Sequence, residues 1–339
     1  MATHRTPISL WLPMSFAKKA LLFSSVLALG AGVSASAADR LNGAGASFPA
    51  KIYQRWFAEL AKSGGPQVNY QAVGSGSGRK AFIDQTVNFG ASDDPMKKSD
   101  MAKVKRGVVQ IPMVGGTIAF GYNKPGCNLK LTQKQAVQVA MGKITDWKQV
   151  GCAAGPITWV HRSDGSGTTK AFTASLAAFS PEWTLGSGKS VKWPGKNAVG
   201  AKGNSGVAGV IQSKVGAIGY VNQSYIKGNV KAAAVQNKSG EYVKPSFSSG
   251  AKALNGIKLD ANLAGSNPNP TAKGAYPIAT LTWVLAYKTG NGKNTNAIKK
   301  TFNFMLSDKA QNQADNLGFV PLKGGILSKA RAAVNKIGS

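Results

Sequence analysis

Acidic side chains are scarce in this 339-residue chain: 13 Asp and Glu stand against 42 Lys and Arg, a formal net charge of +29. That balance excludes a surface built to attract cations and favours anionic partners, whose encounter rate a positive field raises. Histidine is nearly absent, with His4 at the extreme N-terminus and His161 far inside the chain. Cysteine is limited to Cys127 and Cys152. Two cysteines and one internal histidine cannot assemble an ordinary catalytic zinc site, and a serine hydrolase would need a Gly-x-Ser-x-Gly elbow that is missing. Gly188-Lys189-Ser190 resembles the end of a nucleotide loop, but Trp183 stands where that loop requires its first glycine.

Long apolar runs are missing too. The stretch from Ala20 to Val33 is shorter than the roughly 20 residues a membrane span needs. Arg5, Lys18 and Lys19 precede it and small residues at Ala35-Ser36-Ala37 follow, the pattern of a secretory signal peptide over residues 1–38, cleaved near Ala37 or Ala38. Neither cysteine lies near the cut to carry a lipid, so the expected location is free in a periplasm. Without the three basic residues of the leader, 39 Lys and Arg remain against 13 Asp and Glu, a net +26. The lysines are scattered, with no basic block or basic helix, and export separates the chain from cytoplasmic nucleic acid, so nucleic acid is not an expected partner. An even pair of cysteines in an oxidising compartment points to a Cys127–Cys152 disulfide, with two buried thiols as the alternative.

About 300 residues after the leader exceed one simple core and fit two lobes. Helix-period and strand-period segments alternate throughout, the signature of an α/β fold. Pro49 followed by Ile52, Trp56 and Leu60, then Gly64-Gly65, reads as a capped amphipathic helix. Gln67 to Val73 reads as a strand, and a glycine-serine loop then opens a helix over Arg79 to Val87. Val108 to Met113, Thr117 to Asn123, Ile157 to His161, Ala217 to Val221 and Ile278 to Lys288 are strand-like. Helical periodicity covers Thr132 to Met141, Thr168 to Phe179, Val207 to Ser213, Thr295 to Ser307 and Lys309 to Leu317. Asn222 to Gly274 is polar and poorly periodic. Thr117 to Asn123 and Ile278 to Lys288 are candidate crossings between lobes.

Four short polar segments stand out: Gly43-Ala44-Gly45-Ala46-Ser47-Phe48-Pro49, Gly74-Ser75-Gly76-Ser77-Gly78, Gly90-Ala91-Ser92-Asp93 and Arg162-Ser163-Asp164-Gly165-Ser166-Gly167-Thr168. Lacking bulk, they let backbone N–H groups approach a ligand, and three run directly into helical stretches, whose N-termini favour anions. One Arg and two Asp are the only charges among them.

With those residues in view the chain resembles the periplasmic phosphate-binding proteins of phosphate ABC transporters. The resemblance rests on Asn42 to Pro49, Asn69-Tyr70-Gln71 with Gly74 to Gly78, Val87 to Pro95, Ala140 to Trp147, Val160 to Thr168, Val191-Lys192-Trp193-Pro194 and Ala217 to Val221, all in family order. It implies a two-lobed α/β clamshell with crossover hinge strands: residues 39–118 and 280–339 in lobe I, and 119–279 in lobe II. It also implies a monomer that binds inorganic phosphate and delivers it to a membrane permease, needing neither metal nor cofactor. The implied ligand residues are Ser47, Phe48, Ser75 and Asp93 on the first lobe, with Arg162, Asp164, Ser166, Gly167 and Thr168 on the second. Ser47 stands where the family often has Thr, Asn88 where it often has Asp, and Ser163 replaces a small apolar residue. Gly76-Ser77-Gly78 varies the usual loop, so Ser75 or Ser77 could supply the contact, and alignment favours Ser75.

These residue types suit a protonated tetrahedral anion. Ionised Asp93 is a pure acceptor for a P–OH, which sulfate cannot offer. Arg162 presents a planar fork, and Asp164 can hold that fork while trimming its charge. The hydroxyls of Ser47, Ser75, Ser166 and Thr168, with the N–H groups of Phe48, Ser166 and Gly167, are candidate donors. Two other classes compete: a phosphatase or other hydrolase, for which His161 is the sole internal base, and an envelope-surface adhesion protein using the positive charge. His161, Trp147, Trp159 and Trp193 read as packing residues.

Overall fold

A computed structural model describes residues 39–338, so the expected leader lies outside the described residues. The chain begins with β1 (Arg40–Gly45), α1 (Ala50–Lys62), β2 (Gln67–Gln71), α2 (Ser75–Ile83), β3 (Phe89–Ser92) and α3 (Lys98–Met101). The long β4 (Val108–Asn123) follows, then β5 (Lys130–Leu131), α4 (Gln133–Ala140), β6 (Thr158–Arg162), α5 (Gly167–Phe179), β7 (Ala198–Ala201), α6 (Gly203–Ser213) and β8 (Ala217–Asn222). β9 (Lys231–Ala232), β10 (Ala234–Gln236), β11 (Tyr242–Val243) and α7 (Phe247–Leu254) lead to β12 (Ala279–Tyr287), α8 (Thr295–Met305), α9 (Asp308–Gln311) and α10 (Gly324–Val334).

One sheet runs β2-β1-β3-β12-β4-β8-β6-β7, with β9 also on β4. Its two halves share only β4. Val108 to Thr117 pairs antiparallel with β12, and Ile118 to Asn123 pairs antiparallel with β8. Within each half the outer strands are parallel: β1 with β2 and β3, β6 with β7 and β8. Parallel strands need crossover helices, which is why α1, α2, α5 and α6 sit between them in sequence. The C-terminal ends of β1, β3 and β6 carry three of the four polar segments, the usual position of ligand loops in open α/β sheets.

Local sequence accounts for most elements. α1 buries Ile52, Tyr53, Trp56 and Leu60 on one face, and the Trp56 indole donates to the Ala310 carbonyl at 2.9 Å. α4 starts in a capping box formed by Thr132 and Gln135. The Cys127–Cys152 disulfide is formed, with Cα atoms 5.4 Å apart. Around Tyr220 the second half packs an aromatic cluster, with Phe172 stacked at 4.3 Å and Trp159 at 5.9 Å.

Several expectations shift. The two strands around Gly115-Gly116 are one continuous strand, because those glycines are paired with Leu281 and Thr280 rather than turned. β4 therefore passes from one half of the sheet to the other at its middle, while β12 lies wholly alongside its first half. The glycine-serine loop is itself the first turn of α2, which ends at Ile83, short of Val87. α6 begins a turn earlier than Val207, at Gly203. In Lys309 to Leu317 only the first residues are α-helical, and a 3₁₀ turn covers Asp315–Leu317. The C-terminal α10 lies beyond the last segment with helical periodicity.

Candidate functional site

Each segment presents its residues for a local reason. Ser47 and Phe48 lie between β1 and α1, Ser75 is the first residue of α2, Asp93 follows β3, and Ser166 caps α5. The N–H groups of Gly167 and Thr168, like that of Ser75, belong to first turns and so lack intrahelical acceptors. Ser47, Ser75, Asp93, Arg162, Ser166 and Thr168 are all buried. Ser77 is exposed whereas Ser75 is 1% exposed and accepts the Asp93 N–H at 3.2 Å, so Ser75 is the residue that faces the other segments.

The two halves of the sheet meet here. The Thr168 hydroxyl donates to Asp93 Oδ2 at 3.2 Å. Gly76 N–H donates to the Gly165 carbonyl at 2.8 Å. Glycine is required at two of these approaches: a Cβ on Gly74, whose φ is +95°, would lie 2.1 Å from Asp164 Oδ2. A Cβ on Gly167 would lie 2.6 Å from Ser75 Oγ and 2.8 Å from the Asp93 backbone nitrogen.

Arg162 is clamped side-on by Asp164, with Nε to Oδ1 at 2.7 Å and Nη2 to Oδ2 at 2.5 Å. Nη1 reaches Thr168 Oγ1 at 3.4 Å. Of the five guanidinium N–H groups this leaves one on each terminal nitrogen, a fork suited to two oxygens of one anion. Burial works to raise the Asp164 carboxyl, but the Arg162 hydrogen bonds and charge outweigh it and hold the group below its ordinary value. Gly203 N–H adds a bond to Asp164 Oδ1 at 2.9 Å. The pair is thus close to neutral and fixed in orientation.

Asp93 behaves oppositely. Burial, only partly offset by Thr282, Arg162 and Thr168, pushes its carboxyl up to about 7, and neighbouring Asp94 adds to the rise. Its Oδ1 is buried without any hydrogen-bond partner among the described residues, which is uncommon for a native carboxyl. The arrangement offers an acceptor ready for an O–H brought by a ligand.

The hydroxyls divide into two kinds. Ser47 Oγ accepts the Asn204 N–H at 2.9 Å and Asn204 Nδ2 at 3.1 Å, leaving its own proton to donate. Ser75 and Ser166 are likewise acceptors from the backbone, Ser166 from Thr169 N–H at 3.0 Å, with their protons uncommitted. The Thr168 proton is spent on Asp93. Two expected donors are corrected: besides the Thr168 hydroxyl, Ser166 N–H is committed, to the Lys189 carbonyl at 2.8 Å, so of Ser166 only the hydroxyl remains. The Phe48 ring is buried and packs edge-on against Phe319.

Sequence reasoning missed three supports. Asn204 is fully buried and its Nδ2 joins Ser47 to Thr168, the latter at 3.2 Å, while its Oδ1 accepts Asn222 N–H. The signal was available, since Gly203-Asn204-Ser205-Gly206 is a fifth small polar segment opening a helix. Arg79 is buried on α2, paired with Asp94 at 3.0 Å and Asp100 at 3.1 Å, and so anchors the chain just after Asp93. Tyr220 Oη accepts the Arg162 N–H at 3.2 Å. His161 stacks on Trp193 and its Nδ1 meets the Arg162 carbonyl at 3.1 Å.

A clamp, a lone carboxylate and helix N-termini gathered where two strand sets share β4 define a periplasmic-binding-protein architecture, and residues 32–309 match the model of the PBP superfamily domain. The phosphate-binding protein PstS of Haemophilus influenzae is 37% identical over 314 residues, covering 87% of this chain and 92% of that protein. The chain belongs to the PstS phosphate-binding protein family. Its fold also matches that of a high affinity periplasmic phosphate-binding protein bound with phosphate, with a TM-score of 0.75 at 23% identity over 86% of this chain and 93% of that one. A putative phosphate ABC transporter substrate-binding protein from Clostridium perfringens, with bound phosphate, has a TM-score of 0.65 at 21% identity, over 84% of this chain and all of that one.

Proposed function

We propose that the chain binds one inorganic phosphate between its two sheet halves and hands it to the membrane permease of a phosphate ABC transporter. Ser47, Phe48, Ser75, Asp93, Arg162, Asp164, Ser166, Gly167 and Thr168 form the site, with Asp164 acting through Arg162. The observation that carries this reading is the buried Asp93 Oδ1, an unpartnered acceptor beside donors and a neutralised guanidinium. Phosphate keeps a proton through the neutral range and can give it to that oxygen, whereas sulfate brings none and meets a like charge. The family membership supports the same ligand, and the name of the Clostridium perfringens neighbour supports delivery to an ABC transporter.

Lobe I comprises residues 39–118 and 280–339 and lobe II residues 119–279, a division supported by the change of partner along β4 after Thr117. Residues 1–38 act as the export signal, placing the protein in the periplasm as a monomeric binding protein and not an enzyme. Closure of the lobes on phosphate creates the surface that the permease recognises.

Equilibrium titration of the purified chain tests this. One phosphate per chain is expected, with sulfate unable to displace it at pH 8. Absence of phosphate binding, or equal binding of sulfate, overturns the proposal.

A further inference from the structure

Three buried polar atoms with no hydrogen-bond partner among the described residues lie in one place. Besides Asp93 Oδ1 they are Thr282 Oγ1 on β12 and Tyr53 Oη on α1. The sheet register explains the first pairing. β12 runs antiparallel to β3 with Trp283 opposite Ser92, so the next pair in register is Thr282 and Asp93. Opposite residues share a face, which brings the hydroxyl to the carboxylate. The register of β12 against β4 also shifts between Thr282 and Trp283, so the strand is locally irregular at this residue.

The Thr282 hydroxyl lies beside both the Asp93 carboxyl and the Tyr53 phenol, although neither pair has the geometry of a full hydrogen bond. Leaving three such groups unpaired in a dry core is costly, and the inexpensive resolution is a relay in which each O–H donates to the next oxygen. Burial pushes the Tyr53 phenol far above its ordinary range, so it remains a donor. The alternative source of a phenol proton, Tyr70, is committed to the Ala46 carbonyl at 2.7 Å.

We propose that Thr282, backed by Tyr53, is a positioning residue for oxyanion specificity. Its hydroxyl donates to Asp93 from behind and keeps the ligand-facing side of the carboxylate an acceptor for a protonated anion. This rests on the reading that the site takes phosphate. A carboxylate has about four acceptor positions, enough for Thr168, Thr282 and a ligand O–H together.

The other groups facing Asp93 do not duplicate this function. Arg162, across the site, is clamped by Asp164, Asp94 is held by Arg79, and the Ser75 oxygen accepts the Asp93 N–H. A donor to the charged form favours ionisation, so removing Thr282 raises the pH at which Asp93 loses its proton. A protonated Asp93 can donate to sulfate, and discrimination then fails at a higher pH.

The test is sulfate competition against phosphate from pH 5.5 to 9, by calorimetry, for the wild-type chain, Thr282→Val, Thr282→Ser and Tyr53→Phe. In Thr282→Val the pH below which sulfate competes is expected to rise by about one unit, with phosphate affinity at pH 8 reduced about 10-fold. Thr282→Ser restores the wild-type profile, and Tyr53→Phe shifts it the same way by less. An unchanged profile in Thr282→Val, or in Tyr53→Phe should the valine variant not fold, overturns the relay while wild-type phosphate binding leaves the function intact. A wild-type chain that ignores phosphate overturns the function itself.

Discussion

The substitution Asp93→Asn separates what the carboxylate costs the fold from what it does for recognition. The folded value of about 7 lies some three units above the ordinary 3.8. A carboxyl raised in this way contributes stability fully below pH 4, and that contribution is lost as pH rises to about 7. At 1.36 kcal/mol per unit the loss is about 4 kcal/mol, an order-of-magnitude ceiling. An amide has no such proton to lose, so the ligand-free Asp93→Asn variant should show no such slope and should melt higher than wild type at pH 8. In a large domain each kcal/mol is worth about 2 to 4 °C. For binding, sulfate loses about 1 to 3 kcal/mol when it faces an acceptor it cannot satisfy, and the introduced amide can turn a donor toward it. Sulfate affinity should therefore rise between about 5- and 150-fold while phosphate stays within about 10-fold. Thermal melts across pH 4 to 9 and paired titrations read both effects. A variant that still excludes sulfate, or that melts lower than wild type at pH 8 with the same slope, refutes the reasoning.

Arg162→Ala should weaken phosphate, arsenate and sulfate together by at least about 100-fold, since it removes the fork and leaves Asp164 buried and unpaired; titration with the three anions checks this. Gly167→Ala should abolish tight phosphate binding while circular dichroism reports a folded chain, because its Cβ would press on Ser75 and Asp93. Reducing Cys127–Cys152, which closes a loop of sequence separation 25, should cost about 3 kcal/mol in a urea titration with and without reductant, and leave phosphate affinity unchanged.

The site was readable because its chemistry sits in short contiguous segments. Arg162 and Asp164 are two residues apart, so the clamp could be inferred locally, and the four polar segments needed only to converge. What escaped detection is long-range. Thr282 is brought opposite Asp93 by the pairing of strands far apart in the chain, and Asn204 meets Ser47 across 157 positions. Thr282 leaves no local pattern, and the small polar segment Gly203-Asn204-Ser205-Gly206 marks Asn204 without showing its partner. Among the elements, β4 reads as interrupted in sequence because Gly115-Gly116 mimics a turn, and only its pairing with β12 shows one strand. The segment from Asn222 to Gly274 stayed opaque since β9, β10 and β11 have two or three residues each, too few to show alternation. α10 buries only Ala330, Ala333 and Val334 and opens on two glycines, so its apolar stripe is narrow.

The most direct measurement is a crystal structure of the protein grown with inorganic phosphate. The ion should lie within hydrogen-bond distance of Asp93 Oδ1 and of both terminal nitrogens of Arg162, enclosed by Ser47, Ser75 and the first turn of α5. Phosphate bound elsewhere, with Asp93 and Arg162 both free of it, would contradict the central claim.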